Sequence, residues 1–319
     1  MTLIKPAFII TIDTEPDNQW TLRSYDKTEN LRFVPRFQEL CERYGFKPVY
    51  LTEYNVAMDS RFVEYVSSKA RDLKCEIGAH LHAWSTPPFS PLTNDDCREK
   101  PFLIDFQKDL MRQKFSSLSE LLRKTFDTEI ISHRSGRWAF NTDYLEILQE
   151  FGFKIDCSVL PKHILGPSSA FINGNSVDFR GCPEKKYEMC FSDFKCPGSS
   201  GIFEVPMTVY DKHPVLRTVS AKISTRISNR KFGLTKLRPE RGNLTDLLDI
   251  VYDAEHRKAD YIEFMLHSSE FMPGCSLAFP DEESIEQLYA DLTILFETIA
   301  KNFQGKTLRE YVFPESTNV

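Results

Sequence analysis

The sequence predicts an α/β fold in which a parallel sheet is wrapped by helices, and three observations predict it. Short β-rich runs alternate with longer amphipathic runs from one end of the chain to the other. Two amphipathic runs stop at a glycine that leads directly into a β-rich run, at Tyr44-Gly45-Phe46 and Phe151-Gly152-Phe153, as a left-handed helix C-cap at an αβ junction would. Polar clusters fall just after the β-rich runs, where the βα loops of an α/β barrel meet and carry its chemistry.

In chain order, the expected strands are FIITI (8–12), PVYLT (48–52), EIGAH (76–80), IISHR (130–134), KIDCSV (154–159), FEVPMTV (203–209) and YIEFML (261–266). The first is rich in β-branched residues and ends at Asp13, Glu15 and Asp17, with Pro16 unable to donate to a ladder. Helices are expected over 29–44, 60–73, 105–126, 142–151, 244–258 and 282–302. In the third, Leu110, Phe115, Leu118, Leu121 and Leu122 recur at three- and four-residue steps, as one buried face requires. The alternation breaks only over 160–243, rich in Gly, Pro, Ser and aromatics, which reads as an irregular insertion in a single domain spanning 1–319.

With 41% hydrophobic and 27% charged residues and a mean hydropathy of -0.36, the chain reads as globular rather than disordered. Forty basic residues against 46 acidic ones give a net charge of -6, which disfavours wholesale nucleic-acid binding. A local basic stretch, 217–241, reads as a solvated face, with an anionic substrate or a lipid head group as the sharper alternative. No apolar run approaches the roughly 18 residues that span a bilayer, and the N-terminal segment lacks the pattern of a signal peptide, so a cytoplasmic protein is expected. The eight cysteines include no CxxC pair; reduced thiols are the default, and the cluster Cys182, Cys190 and Cys196 leaves a metal knuckle open.

Side chains alternate along a strand, so Asp13 with Glu15, and His80 with His82 in GAHLHAW, should converge in pairs. Two imidazoles with one or two carboxylates suit Zn2+ or a related divalent ion with an open position. Further polar residues follow the later strands: Arg134, Arg137 and Trp138 in HRSGRW, Asp156 in DCSV, and His267 in MLHSSEF. His133, adjacent to Arg134, should face the other side of its strand and pack.

TIDTEP, GAHLHAW, HRSGRW, DCSV and MLHSSEF, in this order and spacing, resemble the five motifs of the metal-dependent polysaccharide deacetylases, the NodB-homology or carbohydrate esterase 4 type. The resemblance implies an irregular (β/α)7 barrel, in agreement with the seven expected strands. That family's first motif carries adjacent acids and its second carries histidines four residues apart. Here Thr14 and Trp84 stand at the second of these positions, and Glu15 and His82 are the nearest substitutes.

The resemblance further implies removal of an N-acetyl, or less often an O-acetyl, group from a carbohydrate. In that scheme Glu15, His80 and His82 hold the metal and Asp13 is the base, kept ionised by a bidentate contact from Arg134. His267 is the acid, oriented by Asp156, and Trp84, Arg137 and Trp138 line the sugar groove, with Trp20 a further rim candidate. A cytoplasmic location would favour a nucleotide-linked or lipid-linked sugar precursor. The alternatives are a C–N hydrolase of small cyclic or linear amides and a catalytically silent barrel that binds glycans or partners.

Overall fold

Seven parallel strands form the core of the computed structural model, which describes residues 5–17, 27–165, 176–212 and 234–314. They are β1 (Ala7–Thr14), β2 (Pro48–Thr52), β3 (Glu76–Leu81), β4 (Ser132–Ser135), β5 (Ile155–Asp156), β6 (Phe203–Glu204) and β7 (Tyr261–His267). Their order across the sheet is β7-β1-β2-β3-β4-β5-β6, so sequence neighbours pair and only β7 crosses over to lie beside β1. Two short segments extend it: Tyr187–Glu188 pairs antiparallel with β6, and Gln304–Gly305 pairs with β1.

The sheet curls as an α/β barrel should, but β6 and β7 share no ladder among the described residues. Isolated hydrogen bonds bridge that seam. The backbone N–H of Glu263 donates to Thr208 Oγ1 at 2.8 Å, and that of Met265 donates to the carbonyl of Leu237 at 3.2 Å. Pro206 explains the opening, because it removes a donor in the middle of the expected strand 203–209. The strand splits there into β6 and a segment, Val209–Asp211, that pairs antiparallel with Leu234–Lys236. Trp20 and the basic residues 217–233 lie outside the described residues.

The six principal helices are α1 (Val34–Arg43), α2 (Ser60–Arg71), α3 (Lys108–Thr125), α4 (Thr142–Glu150), α5 (Leu244–His256) and α6 (Glu282–Asn302). The expected helix 29–44 begins as a 3-10 turn, Glu29–Phe33, with the α-helix starting where Pro35 fits in its first turn. Gly45 and Gly152 adopt φ of +72° and +77°, and Phe46 and Phe153 each donate back to the preceding helix at 2.9 Å, closing the two expected caps. The buried face of α3 runs through Met111, Lys114, Phe115, Leu118 and Leu122, while Leu110 and Leu121 are only half-buried.

One apolar layer lies between sheet and helices; a second, smaller cluster fills the inside of the curl with Ala7, Ile9, Val49, Leu51, Ile155, Val205 and Tyr261. The period of two continues along each strand, so positions beyond this plug face the same interior. There the face turns polar: Ile9 gives way to Thr11, Asp13 and Glu15, and Tyr261 to Glu263 and His267.

Candidate active site

Register brings the expected residues to one level. Asp13 is the Cα partner of His267 across β1 and β7, and His80 is the partner of Arg134 across β3 and β4. Adjacent partners in a parallel sheet project to the same side, so these four side chains share the interior. Glu15 follows immediately after β1, its backbone N–H donating to Ser268 Oγ at 3.0 Å and its carbonyl accepting from Asn30 Nδ2 at 3.0 Å. Thr14 faces the opposite way and donates to the carbonyl of Ile12.

Glu15 Oε1 lies 3.0 Å from His80 Nε2 and 2.9 Å from His82 Nε2, and the two imidazole nitrogens are 3.1 Å apart. All three residues are buried, and Glu15 Oε2 has no hydrogen-bond partner. This triangle is small enough for one point to lie about 2 Å from all three atoms, the distance of nitrogen and carboxylate ligands from zinc. His80 Nδ1 meets the carbonyl of Arg134 at 2.9 Å, which places a ring proton on Nδ1 and turns Nε2 toward Glu15. Donor type, burial and orientation therefore fit a divalent ion. Burial opposes charge on all three, but the Asp13 and Glu15 carboxylates raise His80 to about 9, whereas burial dominates at His82 and lowers it to about 4.

Gly136 backs the triangle. A Cβ there would meet the carbonyl of Leu81 and sit 2.6 Å from His82 Nδ1, so only glycine lets the β4 loop pass the ring. Trp84 packs against His82, with ring centroids 4.3 Å apart. The Arg137 guanidinium lies 5.6 Å from the Trp84 ring centroid, and Trp138 lies 4.5 Å from the Arg134 guanidinium. All three rim candidates thus border the site and are half-buried. Arg137 and Trp138 both hold left-handed backbone, at φ of 59° and 60°, a conformation that costs non-glycine residues of order 1–3 kcal/mol each. Trp84 also walls a cavity of about 600 Å³ shared with Phe89, Pro91, Asn94 and Asp95.

Arg134 is fully buried and spans the site instead of gripping one carboxylate. One arm donates to Asp13 Oδ1 at 2.7 Å, the other pairs with Glu263, and Nε donates to the carbonyl of Cys157 at 2.9 Å. The expected bidentate contact on Asp13 is therefore corrected to a bridge. Burial opposes ionisation of Asp13, but Arg134, His80 and His267 together hold it below the usual carboxylate range. Glu263 also accepts from Thr11 Oγ1 at 3.0 Å, yet burial raises it to about 7.

His267 Nε2 faces Asp13 Oδ2 from 3.9 Å. On its far side, Arg238 reaches Nδ1 at 3.0 Å, and Glu270 accepts from Arg238 at 2.8 Å and from the backbone N–H of His267 at 2.8 Å. Glu270 Oε2 also lies 3.3 Å from Nδ1, so a guanidinium and a carboxylate converge on that nitrogen while Nε2 faces Asp13. Asp156 takes no part. It contacts His133 Nδ1 at 2.6 Å, and His133 Nε2 meets the Tyr144 hydroxyl at 2.8 Å, all on the outer face of the sheet. Because Asp156 is the register partner of His133, it points away from Arg134 and His267, and its expected orienting role is corrected on that ground. Asp17 is structural as well, accepting from the backbone N–H groups of Glu29 and Asn30.

Sequence reasoning missed Glu53, Arg238, Glu263 and Glu270. Glu263 was within reach, since it precedes His267 by four residues on one strand and must share its face. Glu53, two residues past Leu51, is fully buried by the same alternation. Arg238 lies in the irregular region, where no period exists to aim it.

No family model matches the chain, and neither does any curated protein. Among solved structures, 98% of the chain superposes on 41% of a 4-alpha-glucanotransferase from Thermococcus litoralis, with a TM-score of 0.54 and 13% identity. A Mycobacterium smegmatis protein named as a polysaccharide deacetylase is covered over 96% of its length by 97% of this chain, with a TM-score of 0.47 and 13% identity. A carbohydrate esterase 4 family pseudoenzyme from Bacillus anthracis is covered over 66% of its length by 97% of this chain, at a TM-score of 0.44 and 12% identity. At such identities the likeness is one of fold. The fold is an open, curled α/β barrel whose parallel sheet is wrapped by helices.

Proposed function

We propose that this protein is a metal-dependent carbohydrate deacetylase acting on an N-acetyl sugar. The observation that carries the reading is the buried Glu15, His80 and His82 triangle placed beside an ionised Asp13. A divalent ion, with zinc the expected one, supplies positive charge that polarises an acetyl carbonyl and makes water a stronger acid. Asp13, held ionised by Arg134, accepts the proton of the attacking water. His267, as the imidazolium, gives its Nε2 proton to the departing amine, with the Glu270 carboxylate 3.3 Å from Nδ1 supporting that charge and Arg238 and Glu270 fixing the ring. The half-buried rings of Trp84 and Trp138 offer flat apolar faces to a sugar, and the cavity beyond Trp84 gives room for the remainder of a glycan.

The test is a purified protein loaded with zinc and offered N-acetyl sugars, nucleotide-linked N-acetyl sugars and cyclic amides. Acetate release from the sugars, abolished by Asp13→Asn with zinc content retained, is the expected result. Turnover of cyclic amides alone would replace this reading with an amide hydrolase. Failure of the wild-type protein to bind zinc would favour a silent barrel.

A further inference from the structure

The stretch that holds Cys182, Cys190 and Cys196 forms no three-ligand metal cluster among the described residues, and Cys182 is buried. The other two cysteines are placed differently. Met189 and Pro197 form an antiparallel bridge, and the backbone N–H of Gly198 donates to the carbonyl of Glu188 at 2.8 Å. This register sets Cys190 opposite Cys196 across the mouth of a five-residue turn, residues 191–195. Directly opposed residues in an antiparallel ribbon have Cα atoms about 4.5–5.5 Å apart. That separation falls within the roughly 4.4–6.8 Å span of a disulfide.

We propose that Cys190 and Cys196 form a reversible dithiol–disulfide site, oxidised by exchange with a small disulfide of the glutathione type. The turn between them is built to hold their spacing. The backbone N–H of Cys196 donates to the carbonyl of Asp193 at 2.9 Å, and the Tyr187 hydroxyl donates to the carbonyl of Phe194 at 3.0 Å. Phe194 is buried, edge-on to Phe140 and Phe179 at 5.4 and 6.2 Å. Access narrows the choice: Cys41, Cys75, Cys157, Cys182 and Cys275 are buried, Cys97 and Cys190 are half-buried, and Cys196 is exposed.

The two sulfurs differ in a way that orders the chemistry. Cys190 Sγ lies 3.0 Å from Ser192 Oγ, and that hydroxyl with the backbone N–H groups of Ser192 and Asp193 holds its thiol below the usual value. Desolvation and the Asp193 carboxylate, 3.7 Å from Cys196 Sγ, hold Cys196 above it. Cys190 therefore attacks first. Its thiolate bonds to one sulfur of oxidised glutathione, the S–S bond of the oxidant breaks, and one reduced glutathione leaves. Cys196 then loses its proton to solvent and attacks Cys190 Sγ, displacing the second glutathione. Two protein thiols are oxidised and one small disulfide is reduced to two thiols.

The experiment incubates the whole protein with oxidised glutathione, counts thiols after denaturation and maps the peptides. The expected result is a fall from eight thiols to six, a Cys190–Cys196 cross-linked peptide, and recovery of all eight on reduction. Cys196→Ser should stop at a glutathione adduct on Cys190, and Cys190→Ser should react far more slowly. A wild-type protein that stops at a glutathione adduct, or that loses thiols elsewhere, would overturn the proposal. The readout is independent of any deacetylase activity.

Discussion

His80 and Arg134 are register partners, and the backbone carbonyl of Arg134 accepts from His80 Nδ1 while its guanidinium holds Asp13. A single residue thus orients the proposed metal ligand through its main chain and the proposed base through its side chain.

Arg134→Lys separates those two tasks. Lysine keeps the carbonyl and one charge but cannot reach Asp13, Glu263 and Cys157 together. Zinc affinity should be nearly unchanged, while kcat/KM falls about 10²-fold or more, within the range of lost acid–base catalysis. Stability should drop by about 3–5 kcal/mol, as when one partner of a buried ion pair is removed. Calorimetric zinc titration alongside kinetics checks the split; loss of zinc binding would contradict it.

Gly136→Ala tests the backing of His82. The added methyl group must displace either the Leu81 carbonyl or the His82 ring. Zinc affinity should fall about 10- to 100-fold, the usual effect of disturbing a ligand's support, with the circular dichroism spectrum retained. Unchanged affinity would show that the loop simply moves aside.

Asp156→Asn is expected to leave kcat within about twofold of wild type, because its partner is His133 on the outer face of the sheet. The cost should appear in stability, about 1–3 kcal/mol for weakening a buried hydrogen-bond pair. A large fall in kcat without loss of stability would restore Asp156 to the site.

Glu263 predicts a pH dependence. Burial raises it to about 7 in the folded protein, from an ordinary value of 4.5. Between those values the folded state binds more protons than the unfolded chain. Its contribution to stability is therefore fully present below about 4.5 and is lost as pH rises through 7. The loss is bounded by about 3 kcal/mol at 1.36 kcal/mol per pKa unit. Urea unfolding from pH 5 to 8 should show wild type losing stability relative to Glu263→Gln; parallel profiles would refute this.

Much of the site was legible because a strand has a period of two and its end is where loops begin. That rule converged Asp13 with Glu15 and His80 with His82, and it sent His133 away from Arg134. It failed at Asp156 because parity within one strand says nothing about its phase relative to the next. Only the register, His133 opposite Asp156, settles which face that carboxylate takes. Glu263 was overlooked because it sits inside an apolar run, where an acid reads as an interruption although its parity matches His267. Arg238 was illegible for a different reason: it follows a short antiparallel segment in the irregular region, and its aim depends on contacts with β7 and the turn after it.

The hydrogen bonds that tie Glu15 to Ser268 join residues 253 positions apart. β1 pairs with β7 from the far end of the chain, so its acids meet their final surroundings through one of the longest loop closures available to it. Zinc capture should consequently lag behind the recovery of helical structure during refolding, making the ion a reporter of the last step of assembly rather than a nucleus for the first.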